Sequence, residues 1–253
     1  MERIIILGTA SAVPAVNNEN THILLESSKE KILVDCPGNP VVRLNLAGFE
    51  INQLTGIILT HFHPDHVSGF APLLMSMWLV GRKQPITVYG LAPTIDRAEK
   101  MMDLYDWKQW PGFFPVNFVR VAEHERSLVI DSPDLRVYAS PVEHLVPTIG
   151  LRFEFPRSGK TVSYSCDTEP SQVVRRLAQG ADVLIHESTG SSKGHTSPEQ
   201  AGEIAGQANA AALYLIHYPP QLVDAESLLA RAKQTFSGPV FVARDLQVID
   251  IAP

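Results

Sequence analysis

Four side chains that can bind a metal ion or move a proton lie within six consecutive positions of the sequence. The stretch "IILTHFHPDHVSG" (57–69) carries His61, His63, Asp65 and His66 directly after an apolar run. Neutral imidazoles and carboxylates are ligands that zinc and similar ions take in proteins. Burying so many unpartnered polar groups would be costly, so packing alone does not explain the cluster. A metal site is predicted here, in preference to a solvated histidine-rich loop.

Three further metal-binding side chains each follow a predicted strand. "VYASPVEH" ends at His144, "TVSYSCD" ends at Asp167 and "AALYLIH" ends at His217. In open α/β sheets, ligands collect beyond the carboxyl ends of the strands. Together with the first four residues this makes seven candidate ligands. That number exceeds what one tetrahedral ion needs, and it suits two ions that share a bridging carboxylate.

The elements that must position these residues alternate between strands and helices. Apolar, β-branched runs that end in turn residues predict ten strands: "RIIILGT", "HILLES", "KILVDCPG", "GIILTH", "ITVYG", "LRVYAS", "TVSYSCD", "DVLIHES", "ALYLIHY" and "PVFVARD". Helical periodicity predicts five helices: "PVVRLNLAG", "APTIDRAEKMMDLY", "PSQVVRRLAQG", "SPEQAGEIAGQANA" and "DAESLLARAKQTF". No repeat or linker-like stretch interrupts them, so one α/β domain over residues 1–253 is expected.

Composition and charge limit the cellular location and the classes of partner that are expected. The chain has 253 residues, a formal net charge of −6 and only two cysteines, Cys36 and Cys166. Two cysteines do not make a disulfide framework, so a reducing cytoplasm is the expected location. No apolar run reaches the roughly 18 residues of a membrane-spanning helix, and the N-terminus lacks the regions of a signal peptide. The acidic balance also argues against a broad nucleic-acid surface.

The motifs resemble those of the metallo-β-lactamase fold superfamily. "THFHPDHVSG" is similar to the signature of that superfamily. Six other motifs resemble, in order along nearly the whole chain, those of the ribonuclease Z-like branch: "LGTASAVP", "ILVDCPGN", "SCDTEP", "LIHEST", "GHTSPEQAGEIA" and "LIHY". Cyclic-phosphate phosphodiesterases of similar length belong to the same superfamily. The resemblance implies an α/β fold that is a four-layer αβ/βα sandwich, with two mixed β-sheets face to face and helices on the outer faces.

The resemblance also implies a dinuclear metal site. Two divalent ions are expected, with zinc as the first choice and manganese as the alternative. Carried over position by position, the first ion is held by His61, His63 and His144, and the second by Asp65, His66 and His217, with Asp167 bridging them. The resemblance further implies that a hydroxide shared by the ions attacks the substrate, and Asp65 is expected to orient it or to accept its proton.

Glu187 and His195 are the candidates for assisting the leaving group, because the resemblance places the corresponding pair beside the metals. A carboxylate raises the pKa of a nearby imidazole, which suits a proton donor. The alternatives are an ordinary strand-end acid for Glu187 and a loop residue before a helix cap for His195. "HEST" is not the zincin motif H-E-x-x-H, because its fifth position is Gly190.

The sequence lacks room for the tRNA-binding arm of ribonuclease Z. In that enzyme a long basic arm lies between the positions matched here by His144 and Asp167. Only 22 residues, "LVPTIGLRFEFPRSGKTVSYSC", separate them in this chain, which is enough for two strands and a hairpin turn. A phosphodiesterase acting on a small phosphodiester is therefore expected, its substrate a cyclic phosphate, a cyclic nucleotide or a short oligonucleotide.

Other functions stay open at this point. The same metal chemistry could hydrolyse a carboxylic ester, a lactone or a sulfate ester. A tRNA 3′-processing endonuclease is disfavoured by the missing arm and the acidic charge. A non-catalytic metal-binding protein is disfavoured because all seven candidate ligands are present.

Three secondary features have local interpretations. The aromatic segment 105–114, with Tyr105, Trp107, Trp110, Phe113 and Phe114, is either a lid that stacks a base over the metals or, the favoured alternative, the contact of a homodimer. Asp35 ends a strand and is predicted to hold a metal-binding histidine. "VGRKQP" (80–85) is predicted to be a solvated turn rather than a phosphate contact.

Overall fold

Two seven-stranded mixed β-sheets form the centre of the protein. The computed structural model describes residues 2–252. The strands are β1 (Glu2–Gly8), β2 (His22–Glu26), β3 (Lys31–Val34), β4 (Gly56–Ile58), β5 (Ile86–Leu91), β6 (Val116–Val121), β7 (Ser127–Asp131), β8 (Arg136–Val142), β9 (Thr148–Phe155), β10 (Lys160–Tyr164), β11 (Val183–Glu187), β12 (Leu213–Ile216), β13 (Val240–Val242) and β14 (Gln247–Ala252).

Each sheet is parallel on one side and antiparallel on the other. The first has the order β14-β1-β2-β3-β4-β5-β6 and the second the order β13-β12-β11-β10-β9-β8-β7. Pairing is parallel from β3 to β6 and from β10 to β13, and antiparallel elsewhere. Parallel strands need crossover connections, and the helices supply most of them.

Seven α-helices accompany the sheets. They are α1 (Pro40–Leu46), α2 (Pro64–Val67), α3 (Phe70–Leu79), α4 (Ala92–Asp103), α5 (Gln172–Ala178), α6 (Pro198–Gln207) and α7 (Ala225–Ala232). Helix α6 begins with a capping box, in which Ser197 accepts from the Gln200 amide and the Gln200 side chain accepts from the Ser197 amide. Two orphan amides of the first turn are thereby satisfied. Among residues 2–252, no helix combines the length and apolar character needed to cross a membrane.

Three apolar layers hold these elements together. The central layer joins the inner faces of both sheets, with residues such as Ile4 and Leu25 from the first and Val137 and Phe153 from the second. A second layer lies between the first sheet and α1, α3 and α4. A third lies between the second sheet and α5, α6 and α7. This order of layers confirms the predicted αβ/βα sandwich.

Helix α3 and strands β6, β7 and β14 are not predicted from the sequence. The sequence of α3, "FAPLLMSMWL", is apolar at all but one position, so it shows no helical period. Strand β14 lies at the edge of the first sheet and pairs antiparallel with β1, far away in sequence. A pairing of that kind leaves no local signal.

The carboxyl ends of the parallel strands turn sharply at one edge of the sandwich. Asp35 follows β3 with φ 60°, Cys166 follows β10 with φ 54°, and His217 follows β12 with φ 53°. Non-glycine residues adopt this left-handed region only where the surrounding structure holds them in it. The three turns direct polar side chains towards the space between the two sheets' edges.

Candidate metal centre

Strand β4 and the turn after it supply four of the candidate ligands. His61 and His63 follow β4, with His63 in extended backbone, and Pro64 then begins the short helix α2, which carries Asp65 and His66. The proline suits the first helical position because its ring already has a helical φ. The predicted turn after Pro64 is present, and it brings all four side chains to one place.

The first group of ligand atoms comes from His61, His63 and His144. Nδ1 of His63 lies 3.1 Å from Nε2 of His61 and 3.2 Å from Nε2 of His144. Two nitrogens bound at 2.0–2.1 Å to a tetrahedral ion lie roughly 3.3 Å apart. The two distances from His63 therefore match the edge of a tetrahedral zinc-like site, and all three ligand atoms lie within 4.8 Å of one another.

The second group comes from Asp65, His66 and His217. Oδ2 of Asp65 lies 3.7 Å from Nε2 of His66 and 3.6 Å from Nε2 of His217. The three ligand atoms all lie within 4.8 Å of one another. Helix α2 follows β4 of the first sheet, whereas His217 follows β12 of the second sheet. This group therefore forms only in the folded protein.

Asp167 lies between the two groups. Its Oδ2 lies 3.4 Å from Nε2 of His217, 3.6 Å from that of His66, 3.9 Å from that of His144 and 4.0 Å from that of His61. One carboxylate thus faces histidines of both groups. This position suits a ligand that two ions would share.

Three buried atoms of the centre have no hydrogen-bond partner among residues 2–252. They are Nε2 of His66, Nε2 of His217 and Oδ1 of Asp167. Buried polar groups are almost always satisfied, and a site for a bound ion is one of the recognised reasons for an exception. Together with the imidazole and carboxylate donor set, these orphan atoms fit two divalent cations.

The opposite ring nitrogens of three ligand histidines are held by the protein. Nδ1 of His66 lies 2.7 Å from Oδ2 of buried Asp35, as the sequence predicts, and Nδ1 of His144 lies 2.7 Å from the Gly194 carbonyl oxygen. Nδ1 of His217 lies 2.9 Å from Oγ1 of Thr189. Such contacts fix the tautomer that leaves Nε2 free for a metal.

Thr189 and Gly194 are not identified by the sequence reasoning, although both lie in quoted motifs. Thr189 is two residues after Glu187, and Gly194 directly precedes His195. Gly194 has φ 82°, and a Cβ there would lie 3.0 Å from Nδ1 of His144. Only glycine allows its backbone to approach the histidine so closely.

Charges in the centre are strongly coupled. Burial opposes ionisation of His66, but Asp167 and Asp35 outweigh burial and hold the pKa of His66 well above its ordinary value. Burial also opposes ionisation of Asp167, yet His217 and His66 hold the pKa of that carboxyl well below its ordinary value. Burial lowers the pKa of His61 well below its usual range, so this imidazole is neutral at pH 7. A neutral imidazole is the form that binds a metal, so a cation held at Nε2 of His66 would displace the proton there.

Glu187 and His195 form a pair beside the ligands. Nδ1 of His195 lies 2.9 Å from Oε1 of Glu187. The fully buried carboxylate also accepts from the backbone amides of Thr168 at 3.1 Å and Thr189 at 2.9 Å. A ring nitrogen of His195 lies within 4.8 Å of ligand atoms of His144 and Asp167. The structure therefore places this predicted pair beside the candidate metal ligands.

The two members of the pair shift each other's protonation. Burial raises the pKa of Glu187, although the hydrogen bond from His195 opposes the shift. Burial would lower the pKa of His195, but the hydrogen bond to Glu187 outweighs burial and raises it above its ordinary value. An imidazole with a raised pKa is better populated in its acid form near neutral pH.

The aromatic segment 105–114 lies away from the candidate centre. It joins the end of α4 to the start of β6, and Val116 at that start pairs with Ile86 at the start of β5. The ligands follow the opposite, carboxyl ends of the strands. Trp110 of the segment stacks on Trp78 of α3 with ring centroids 5.1 Å apart. A lid over the chain's own metal ligands is therefore excluded.

The prediction of a solvated turn at Arg82 is wrong. Arg82 is only 4% exposed, and its guanidinium donates to the carbonyl oxygens of Asn52, Leu54, Gln84 and Pro85 at 2.8–3.0 Å. The five donors of a guanidinium suit such a fork of acceptors. Arg82 is a structural residue and does not face the centre.

Comparison with known proteins places the chain in a broad family. Residues 30–218 match the model of the family described as Beta-lactamase superfamily domain. A curated relative, Ribonuclease Z of Methanothermobacter thermautotrophicus, is 29% identical over 307 aligned positions, covering 99% of this chain and 97% of the relative. Because the alignment is longer than the 253 residues of this chain, the relative carries segments that this chain lacks.

Two solved structures share the fold. The metallo-β-lactamase fold protein YhfI from Bacillus subtilis superposes with a TM-score of 0.84 at 24% identity, covering 98% of each chain. The short form of human tRNase Z superposes with a TM-score of 0.79 at 24% identity, covering 99% of this chain and 100% of the other. At these identities the likeness concerns the fold.

Proposed function

The chain belongs to the beta-lactamase superfamily and is a hydrolase of the metallo-β-lactamase fold, and from that premise we propose that it is a dinuclear metal-dependent phosphodiesterase acting on a small phosphodiester. The observation that carries this proposal is the position of Asp167. Its carboxylate faces Nε2 of four histidines at 3.4–4.0 Å, and the Glu187–His195 pair adjoins it.

Seven residues would hold the ions. The first ion would be bound by His61, His63 and His144, the second by Asp65, His66 and His217, and Asp167 would contact both. Zinc is the proposed metal because imidazole and carboxylate donors at tetrahedral spacing suit it, with manganese as the alternative. When bound, the two ions would lower the pKa of a water molecule towards neutrality and offset the charge of the phosphoryl oxygens.

Asp65 is the proposed acceptor for the proton of the attacking water. Its carboxylate is partly exposed, at 14%, whereas that of Asp167 is only 3% exposed. Oδ2 of Asp65 lies near His66 and His217, so the side chain is held at the mouth of the centre. A carboxylate that both contacts the ions and reaches the solvent side is placed to orient water.

His195 is the proposed acid for the leaving alcohol. Its Nδ1 is held by Glu187, which leaves Nε2 to give a proton to the leaving oxygen. Alcohols are poor leaving groups without a proton, and a positioned general acid contributes roughly 10²–10⁴-fold to such a reaction. Glu187 positions the ring and stabilises its protonated form.

The name of the relative and the short hairpin between His144 and Asp167 together support a phosphodiester substrate that is smaller than tRNA. The curated relative cited above is named for an action on RNA, which supports phosphodiester chemistry. The chain between His144 and Asp167 contains only β9, β10 and short turns, so it has no protruding arm to grip a folded RNA.

We further propose that the protein acts as a homodimer. Leu79 and Val80 at the end of α3 are 66% and 59% exposed, and Leu104 and Tyr105 beyond α4 are 83% and 58% exposed. These residues adjoin the aromatic segment 105–114, and exposed apolar patches of this kind are typical of interfaces. The molar mass in solution, measured by light scattering for wild type and for Leu104→Glu, tests this: the variant should be monomeric.

The proposed activity is tested by comparing substrates on zinc- or manganese-reconstituted protein. We expect the highest kcat/KM for bis(4-nitrophenyl) phosphate among a set that includes 4-nitrophenyl acetate, a γ-lactone and 4-nitrophenyl sulfate. A preference for the carboxylic ester, the lactone or the sulfate would replace the proposal. Efficient 3′ trimming of a precursor tRNA would instead indicate that the protein is a tRNA nuclease.

A further inference from the structure

A polar cleft of about 310 Å³ opens beside His195. Its walls include Glu169, Ser191, Ser192, Lys193 and Gln200. The ring of His195 lies 5.1 Å from that of His144 and 5.9 Å from that of His217, measured between centroids. His195 therefore borders both the candidate metal ligands and the cleft.

The cleft has hydroxyl and amide groups but little net charge. Lys193 is its single permanent cation and Glu169 its single carboxylate. Oε1 of Glu169 accepts from the Gly194 amide at 2.8 Å, so this acid is fixed in the wall. A mixture of donors and acceptors with balanced charge suits a hydroxyl-bearing, uncharged group, and the volume is at the small end of the range for ligand sites.

The loops around the centre are likewise poor in cations. The nine loops that follow strands at this edge contain three lysines and arginines, Arg126, Lys193 and Arg244, against ten aspartates and glutamates. The loops are 9–21, 35–39, 59–69, 122–126, 143–147, 165–171, 188–197, 217–224 and 243–246. Proteins that bind polyanions line the approach to the site with lysine and arginine. Two bound ions would offset the charges of Asp65 and Asp167, and the rest of the mouth offers few cations for any phosphate beyond the scissile one.

From these observations we propose that the cleft beside His195 is the subsite for the leaving alcohol, and that it takes an uncharged, hydroxyl-bearing alcohol. The substrate is then a phosphodiester whose single negative charge is the scissile phosphate. This inference rests on the proposed phosphodiesterase function. In the reaction, water oxygen bonds to phosphorus, the bond from phosphorus to the leaving oxygen breaks, Asp65 takes a proton from the water, and His195 gives one to the alcohol.

Two chromogenic probes that differ by a carboxylate on each ring test the subsite, and the change in their kcat/KM ratio between variants isolates the effect of charge. They are bis(4-nitrophenyl) phosphate and its analogue bis(3-carboxy-4-nitrophenyl) phosphate, used with the zinc-loaded enzyme. Wild type should have the higher kcat/KM for the uncharged leaving group. Ser192→Lys adds a cation to the cleft, and it should raise the relative kcat/KM of the carboxylated probe roughly two- to five-fold, the range of one exposed ion pair.

Ser237→Lys is the matched control. Ser237 is also an exposed serine, and it precedes β13 at the amino ends of the parallel strands, the edge opposite to His217. This control should leave the ratio of the two probes unchanged. The subsite is overturned if wild type prefers the carboxylated probe, or if Ser192→Lys behaves like the control. Failure to hydrolyse either probe with two bound ions would instead overturn the phosphodiesterase function, and the subsite with it.

Discussion

Thr189 holds His217 through two hydrogen bonds made by one hydroxyl group. Oγ1 of Thr189 lies 2.9 Å from Nδ1 of His217 and 2.7 Å from the His217 carbonyl oxygen. The hydroxyl can accept from the ring N–H and donate to the carbonyl. The backbone amide of Thr189 also donates to Oε2 of Glu187 at 2.9 Å. One residue thus connects a candidate metal ligand with the candidate acid pair.

Thr189→Val is therefore expected to weaken binding of the second ion. The substitution keeps the shape and the backbone amide but removes the hydroxyl that orients His217. Loss of such a partner typically lowers metal affinity roughly 10- to 100-fold. Competition with a chromogenic chelator measures the affinity, and Thr189→Ser should restore it. Equal affinities of Thr189→Val and wild type would show that the hydroxyl does not orient the ligand.

Substitution of Glu187 is expected to shift the pH profile of kcat, because Glu187 is hydrogen-bonded to His195. A general acid works in its protonated form, so activity falls as pH rises through the pKa of His195. Glu187 raises that pKa, and Glu187→Gln should lower it. The basic limb of kcat should then move to lower pH.

The measurement compares pH–rate profiles on a diester with an alkyl leaving group, because such a group needs a proton. His195→Ala should lose roughly 10²–10⁴-fold in kcat on that substrate and far less on bis(4-nitrophenyl) phosphate, whose nitrophenolate leaves without one. An equal loss on both substrates would mean that His195 supports binding rather than proton transfer.

The contacts of the Asp134 carboxylate predict that the folded protein loses stability in acid. Its buried carboxylate accepts from the hydroxyls of Ser27 and Ser28 and from the Lys29 amide at 2.7–2.9 Å. These contacts join the β2–β3 turn to the β7–β8 turn, and hence one sheet to the other. Burial alone would raise the pKa of Asp134, but the hydrogen bonds outweigh it and hold the pKa well below its ordinary value.

A depressed folded-state pKa means that the stabilisation is complete above the unfolded-state pKa, about 3.9, and is lost as pH falls below it. Asp134→Asn should cost about 1–3 kcal/mol at pH 7, and the difference from wild type should shrink below about pH 4. Urea unfolding at several pH values measures it. Asp131→Asn, at an exposed carboxylate paired with Arg136, is the control and should change stability little. A difference that is independent of pH would contradict this account.

Substitution of Arg82 is expected to lower the free energy of unfolding, although the residue lies far from the candidate metal ligands. Its guanidinium satisfies four backbone carbonyl oxygens, and an ammonium group cannot reproduce that fork. Arg82→Lys should lower the free energy of unfolding by about 1–3 kcal/mol, measured by urea unfolding. Lys83→Gln, at the exposed neighbouring position, should have almost no effect. Similar stabilities of the two variants would refute the structural role.

The candidate ligands could be predicted from sequence because each one lies at the end of a locally recognisable strand. His61, His144, Asp167 and His217 all follow apolar β-runs, and the carboxyl ends of parallel strands share an edge. The resemblance to a known family then divided them into two ion sites. The strand and helix patterns predicted an α/β domain, and the family resemblance supplied the layered sandwich.

The features that could not be predicted from the sequence depend on contacts between distant segments. Thr189 is an ordinary loop threonine until folding brings β12 beside β11, and Arg82 is an ordinary basic residue until Asn52 and Leu54 surround it. The aromatic segment could be placed only once the direction of β6 was known. Helix α3 escaped prediction because its apolar residues hide the helical period.

The central claim is that two ions, shared by Asp167, hydrolyse a phosphodiester. The most direct measurement is the rate of bis(4-nitrophenyl) phosphate hydrolysis while zinc is added stepwise to the metal-free protein, with bound metal counted at each step. We expect a rate that reaches its plateau at two ions per chain and is abolished in Asp65→Ala. A plateau at one ion, or two bound ions without turnover, would contradict it.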